Sequence, residues 1–214
     1  MLFRSHLNRV AEIVDQYVQY QRNAVEGLLR MAPRDPSGRP IVASLAAQLE
    51  AVNNATVYLV FFDRWGFVSE SGSSDMPSAA LSWLATKAAR LGKTQVESIG
   101  DGGNLAFAAP DVSEGAGTLV VVVSGAWMRA EVAEHASSSP LAFELRDSAG
   151  EVLADVAAQS GSGVALAYKA RQEALLRTGR IVTVEGYAIA AALRLDSVDW
   201  ELFAVENVKE SSRY

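Results

Sequence analysis

The sequence predicts an α+β protein: a long N-terminal helix followed by two similar units, each a five-stranded antiparallel sheet with helices on one face. Three observations carry that reading. Apolar residues recur at helical spacing from Phe3 to Met31. A hairpin-like stretch, YLVFFDRWGFVSESG from Tyr58, has a near copy, LAFELRDSAGEVLAD, from Leu141. The copies then stay in step: Asp63 matches Asp147 and Gly66 matches Gly150 at an offset of 84, while Leu119 matches Leu202 and Val122 matches Val205 at an offset of 83.

In the opening helix, Phe3, Leu7, Val10, Val14, Tyr17, Gln21, Ala24, Leu28 and Met31 trace a near-heptad seam, broken by the polar Gln21. Ile13, Val18, Val25 and Leu29 widen the stripe. Such a face serves either the parallel pairing of two copies or packing within the chain's own core. MAPRDPSGRP, with its three prolines and a glycine, ends the helix. A second helix is expected from Ile41 to Val52, where Asn53-Asn54 breaks it.

The first hairpin comes next. Val57, Leu59 and Phe61 alternate with Tyr58, Val60 and Phe62, so the strand is apolar on both faces and belongs inside a sheet. Asp63-Arg64-Trp65-Gly66 is turn chemistry. A helix follows from Pro77 or Ser78 to Leu91, with Leu81, Leu84, Ala88 and Leu91 as its core stripe and Gly92 as its cap. Strands are expected at Thr94–Ile99, Asn104–Pro110 and Thr118–Ser124, parted by the turn signals DGG and SEGAG.

A short helix, Ala126–His135, leads through SSSP into the second hairpin. Beyond it come a Gly/Ser-rich link (Gln159–Gly163), a helical stretch (Ala165–Arg177), and strands Arg180–Glu185, Tyr187–Leu195 and Trp200–Glu206. The tail VKESSRY is polar. The chain thus divides into residues 1–54 (long helix and linker helix), 55–136 (first sheet unit), 137–208 (second sheet unit) and 209–214 (tail).

Composition excludes several functions. A net charge of −6 argues against a nucleic-acid partner, which wants a basic face. Without cysteine there are no disulfides and no thiolate chemistry. His6 and His135 stand apart with no metal-ligand spacing, so neither metal nor cofactor is expected. No apolar run reaches the ~18–20 residues that cross a bilayer, and MLFRSHL lacks the apolar core of a signal peptide. No nucleophile with a base and no phosphate loop is present, and DGGN reads as a turn, so the chain is not expected to be an enzyme. A cytosolic interaction module of the profilin-like or roadblock type fits one unit, but it leaves the helix and the second copy unexplained.

Taken in order, the long helix with its proline-rich end, FFDRWGFV, TLVVVVSGAWMRAEVAEH, LRDSAGEVLAD and VDWELFAVENV resemble the double Cache (dCACHE) sensor family. These are the extracellular PAS-like domains of bacterial receptors, and the resemblance covers nearly the whole chain. It implies a helix continuing from one transmembrane segment and a last strand leading into another. The chain then reads as an excised ectodomain on the periplasmic or extracellular side of the inner membrane. Its parent would be a histidine kinase, a diguanylate cyclase or a chemoreceptor. The seam of the first helix suits a parallel homodimer of such receptors.

The resemblance also implies a small-molecule ligand in the membrane-distal first unit, among Gly66–Ser71, Ser73–Arg90 and the strands Thr94–Ser124. Ser69 and Phe107 fall in those segments. Trp83, Lys87 and Arg90 share one helix face, opposite the core stripe, and suit an anion, although the same face reads first as a solvated exterior. Arg64 and Trp65 occupy the turn where the copy has Ser148 and Ala149, placed to contact a ligand or partner or to cover the sheet edge. One subfamily holds amino acids with an Arg-x-Trp pair before the third strand and an Asp ending the fifth. Here AARLGKTQ lacks the Trp, and Ser124 stands where the Asp would be. An anionic or uncharged ligand is therefore expected, with Asp111 either offering a carboxylate or serving as a turn residue. Tyr168, Lys169 and Arg171 are the second unit's candidates, although its expected role is relay rather than binding.

Overall fold

A computed structural model describes residues 2–52, 56–64, 68–72, 78–100, 104–112, 117–137, 141–156, 182–184 and 188–207. The chain begins with α1 (Leu2–Met31) and α2 (Val42–Val52), then forms β1 (Thr56–Asp63) and β2 (Val68–Gly72). Next come α3 (Ser78–Leu91), β3 (Gln95–Ile99), β4 (Asn104–Pro110) and β5 (Gly117–Val123). After α4 (Ala126–Ser137) follow β6 (Leu141–Arg146), β7 (Val152–Val156), β8 (Val182–Val184), β9 (Ala188–Arg194) and β10 (Glu201–Asn207). The Gly/Ser-rich link, the stretch Ala165–Arg177, Trp65 and the tail lie outside the described residues.

Among the described residues, ten strands form two antiparallel sheets of five, ordered β2-β1-β5-β4-β3 and β7-β6-β10-β9-β8. The repeat seen in the sequence is therefore a repeat of pairing. Phe61 pairs with Leu119, and Leu145, 84 positions on, pairs with Leu202, 83 positions on. Ala109 pairs with Leu119 just as Leu193 pairs with Leu202. Because strand side chains alternate with period two, a slip of one residue would turn each apolar row outward, so the shared register preserves both faces.

The chain separates into two compact units, Gln19–Trp127 and Met1–Val18 with Met128–Tyr214. In the first, Leu59, Phe61, Leu105, Phe107, Leu119 and Val121 occupy one face of the sheet and are buried, with α2 lying against β1 and β2. The other face packs under α3. In the second unit, Leu141, Phe143 and Leu145 of β6 are buried in alternation with half-buried neighbours, and Trp200 is fully enclosed. Each unit also holds its share of α1 through a carboxylate. Glu26 accepts the Thr94 hydroxyl at 2.5 Å in one. In the other, Asp15 accepts the backbone N–H of Ser197 at 2.9 Å, and its hydroxyl as well.

The seam on α1 has a different use from the one its spacing suggested for a partner. Phe3, Leu7, Val10, Val14, Tyr17, Gln21 and Leu28 are all buried by the chain itself, as are the flanking Val18, Val25 and Leu29. Intrachain packing accounts for the stripe. Only Met31, at its end, is open, with 73% of its surface exposed.

Candidate functional site

The first sheet receives α3 because both surfaces are made of small or branched residues. Leu81, Leu84, Ala85 and Ala88 recur at helical spacing and meet Ala106, Ala108, Val120 and Val122 on the sheet. Alanines on β4 let the helix axis come close, and Thr118 donates its hydroxyl to the Ala85 carbonyl at 3.3 Å. The helix stops at Gly92, whose φ of 62° is a left-handed conformation that costs a side-chain-bearing residue about 1 kcal/mol. On this view α3 lies over β3, β4 and β5.

Trp83 and Lys87 sit on the flank of α3 away from that core, as their spacing predicts. The Lys87 ammonium lies 4.9 Å from the Trp83 ring centre and 2.6 Å from Glu97 Oε1 on the edge strand β3. Its charge is thus stacked on one neighbour and matched by another. Arg90 is exposed one turn further along the helix. Trp83 and Lys87 come together at the β3 edge of the sheet, with Glu97 as a third member that sequence reasoning left out.

The remaining expected residues fall elsewhere. Phe107 is buried on the face opposite α3. Ser69, which pairs with Phe61, lies on that same opposite face and is half-buried. Ser124 accepts the backbone N–H of Ala126 at 3.2 Å, which caps the start of α4. Arg64 is exposed just after β1, and Trp65 is not described.

Asp111 belongs to a buckle at one end of the sheet. After α1 the chain turns back on itself, with a bridge between Arg34 and Pro40. Inside that loop Asp35 accepts the N–H groups of Ser37 and Arg39 and the Ser37 hydroxyl, bonds that hold its carboxyl below the ordinary range. The two arginines of the loop then reach the sheet. Arg34 holds Asp111 at 2.7 Å, and Arg39 Nη2 stands 2.9 Å from Asp63 Oδ2 as a charge contact. Both carboxylates are buried at strand ends, where an unpaired charge would be costly.

One pair on the α3 side was missed by sequence reasoning. Tyr58 on β1 donates its hydroxyl to Glu70 on β2. Burial, and then the bond to Glu70 and its charge, push the phenol up to about 12. The signal was present in the alternation, because Tyr58 pairs with Gly72 and Val60 with Glu70, all on one side. Among the described residues, no cluster of three or more ligating side chains could hold a metal, and no helix is long and apolar enough to cross a membrane.

No protein-family model matches the chain, and no curated protein matches it in sequence. Solved structures do match. The ligand-binding domain of the Campylobacter jejuni chemoreceptor Tlp3, solved with L-norvaline, superposes with a TM-score of 0.68 at 13% identity, covering 98% of this chain and 91% of that one. The corresponding domain of Pseudomonas aeruginosa PctC, solved with GABA, gives 0.68 at 17% identity over 94% of this chain and 95% of that one. That of P. aeruginosa PctB, solved with L-Arg, gives 0.63 at 13% identity over 100% and 97%. The chain shares the fold of these domains from end to end.

Proposed function

We propose that this chain, which has the double Cache fold, is the small-molecule sensing input domain of a bacterial transmembrane receptor. One observation carries the reading: two sheets in one strand order and one register, built on a single long helix, over the full length of chemoreceptor ligand-binding domains. A profilin-like or roadblock-type module accounts for neither the second sheet nor the shared register. The structural relatives were solved with amino acids and GABA, which supports a metabolite-sized organic ligand here. The sensing unit is the one around the first sheet, and the second sheet relays its state toward the membrane. The domain then faces the periplasm or the cell exterior, and the receptor's output is a histidine kinase, a diguanylate cyclase or a chemotaxis module.

Pairing of two copies through α1 falls to the face left open by intrachain packing, where Glu12, Gln16, Tyr20 and Asn23 are exposed. The sensing role is tested by a thermal-shift screen of metabolites against the purified domain. Ligand at a hundredfold excess over Kd adds about 2.7 kcal/mol of stability. At ~2–4 °C per kcal/mol for a chain of this size, the melting point rises by roughly 5–11 °C. A broad metabolite panel that moves nothing sinks the proposal.

A further inference from the structure

The two most exposed large apolar side chains among the described residues are Val112, at 88%, and Met31, at 73%. They are far apart in sequence, and one ion pair brings their segments together. Arg34, three residues past Met31, holds Asp111, the residue before Val112, at 2.7 Å. The corner between α3 and β3 joins them. β3 begins at Gln95, which pairs with Ala108 near the end of β4. Just ahead of it, Thr94 donates its hydroxyl to Glu26 on the last turns of α1 at 2.5 Å. Leu91, which closes α3 at this corner, is exposed as well. Three chain segments thus present apolar side chains at one end of the first sheet.

That end also carries the opposite charge to the chain as a whole. Among the described residues of 30–34, 90–94 and 110–112, the exposed charges are Arg30, Arg90 and Lys93. The acids close by are engaged: Asp111 is buried against Arg34, and Glu26 takes the Thr94 hydroxyl. A protein with a net charge of −6 therefore sets a basic rim around an apolar centre here. Apolar side chains inside a charged rim are the anatomy of a protein–protein interface, and the sign of the rim selects the partner. The surface is also firmly mounted. Met31 and Leu91 close helices, and the Arg34 guanidinium that holds Asp111 donates to the Gly38 carbonyl as well, so docking orders little that is not already ordered.

We propose that this end of the first unit is a docking surface for a soluble protein whose own contact face is apolar at its centre and acidic at its rim. Pairing of the surface with its own copy is opposed, because two basic rims repel. A lipid surface does not fit either. The receptor reading puts the membrane beyond the start of α1, and the 30 residues of that helix run about 45 Å before they reach Met31. The inference goes beyond the sensing role: it gives the receptor an input by protein contact, and its failure leaves the metabolite reading standing.

The test starts in the source cells, with the photo-crosslinking residue p-benzoylphenylalanine placed at Val112 of the full receptor. Glu151, an exposed turn residue of the second unit, is the control position. A discrete adduct with another protein is expected at Val112 and not at Glu151. That protein is identified by mass spectrometry, purified, and titrated calorimetrically with the purified domain at low and at high salt. Val112→Asp and Met31→Gln are each expected to weaken binding roughly tenfold or more. Arg90→Glu combined with Lys93→Glu weakens it most at low salt. These side chains are exposed, so every variant should melt with wild type by circular dichroism. No adduct above the control, an adduct of receptor with receptor, or a purified partner that binds folded Val112→Asp as it binds wild type overturns the proposal. A partner indifferent to salt and to the charge reversals refutes the acidic rim. Co-sedimentation of the domain with phosphatidylglycerol vesicles, abolished by Arg90→Glu, would make the occupant a lipid and the proposal wrong.

Discussion

Arg34 and Asp111 lie 77 positions apart and meet in a two-pronged ion pair, Nη1 2.7 Å from Oδ2 and Nη2 3.3 Å from Oδ1. The same guanidinium donates to the Gly38 carbonyl at 2.8 Å, inside its own loop. One side chain thus closes the loop after α1 and fastens it to the far end of β4.

Removing Arg34 takes the two-pronged partner from a carboxylate that is almost completely buried. Arg34→Ala is expected to lower the unfolding free energy by about 3 kcal/mol, the cost of breaking a buried pair by deleting one partner. Urea denaturation measures it. A loss below ~1 kcal/mol would mean that the pair behaves like an exposed surface bridge.

Gly117 opens β5 where no side chain fits. A Cβ there would lie 2.5 Å from the Phe61 ring and would also strike the Phe62 carbonyl oxygen. Gly117→Ala is expected to cost at least about 1–3 kcal/mol through overpacking. Shrinking the ring with Phe61→Leu should not restore it, because the backbone oxygen stays in place. Recovery of wild-type stability in that double variant would refute the argument.

The Tyr58 hydroxyl makes alkaline stability diagnostic. Its pKa in the folded protein is raised from 10.0 to about 12, so its contribution is complete below pH 10 and is lost as pH climbs through 12. Wild type should exceed Tyr58→Phe in stability at pH 9, with the gap closing by pH 12. Urea midpoints across that range follow it. A gap that stays constant would show that this phenol does not titrate late.

Lys87 reports on the exposed flank of α3. Its contacts with Trp83 and Glu97 are partly solvated, so Lys87→Ala should destabilise by less than about 1 kcal/mol while changing Trp83 fluorescence. A loss above ~1 kcal/mol, or an unchanged Trp83 emission, would refute that solvated reading.

Element order and register were legible because they rest on local patterns: period-two alternation, turn residues and an offset that hardly drifts over 84 positions. The α1 stripe was legible as apolar but not as to its neighbour, since the same spacing serves a partner helix or the protein's own sheet. The roles of Asp63 and Asp111 were hidden for another reason. Each is chemically at home in a turn, and the arginines that claim them lie in a loop 24 and 77 positions away. Glu70 escaped notice because VSESG looks like an ordinary polar edge strand, and its partner is visible only once the hairpin pairs are drawn.

The division of α1 bears on the order of events during synthesis. Gln19–Trp127 is one unbroken run, so every residue of that unit has emerged before the last two fifths of the chain are made. The other unit is assembled from two separate stretches, Met1–Val18 and Met128–Tyr214. Asp15 is made early, yet the turn it caps, at Ser197, arrives 182 residues later. The first turns of α1 therefore wait, with their apolar side chains uncovered, until the residues around Ser197 have been made. Proteases and chaperones should find the emerging domain most vulnerable at those turns.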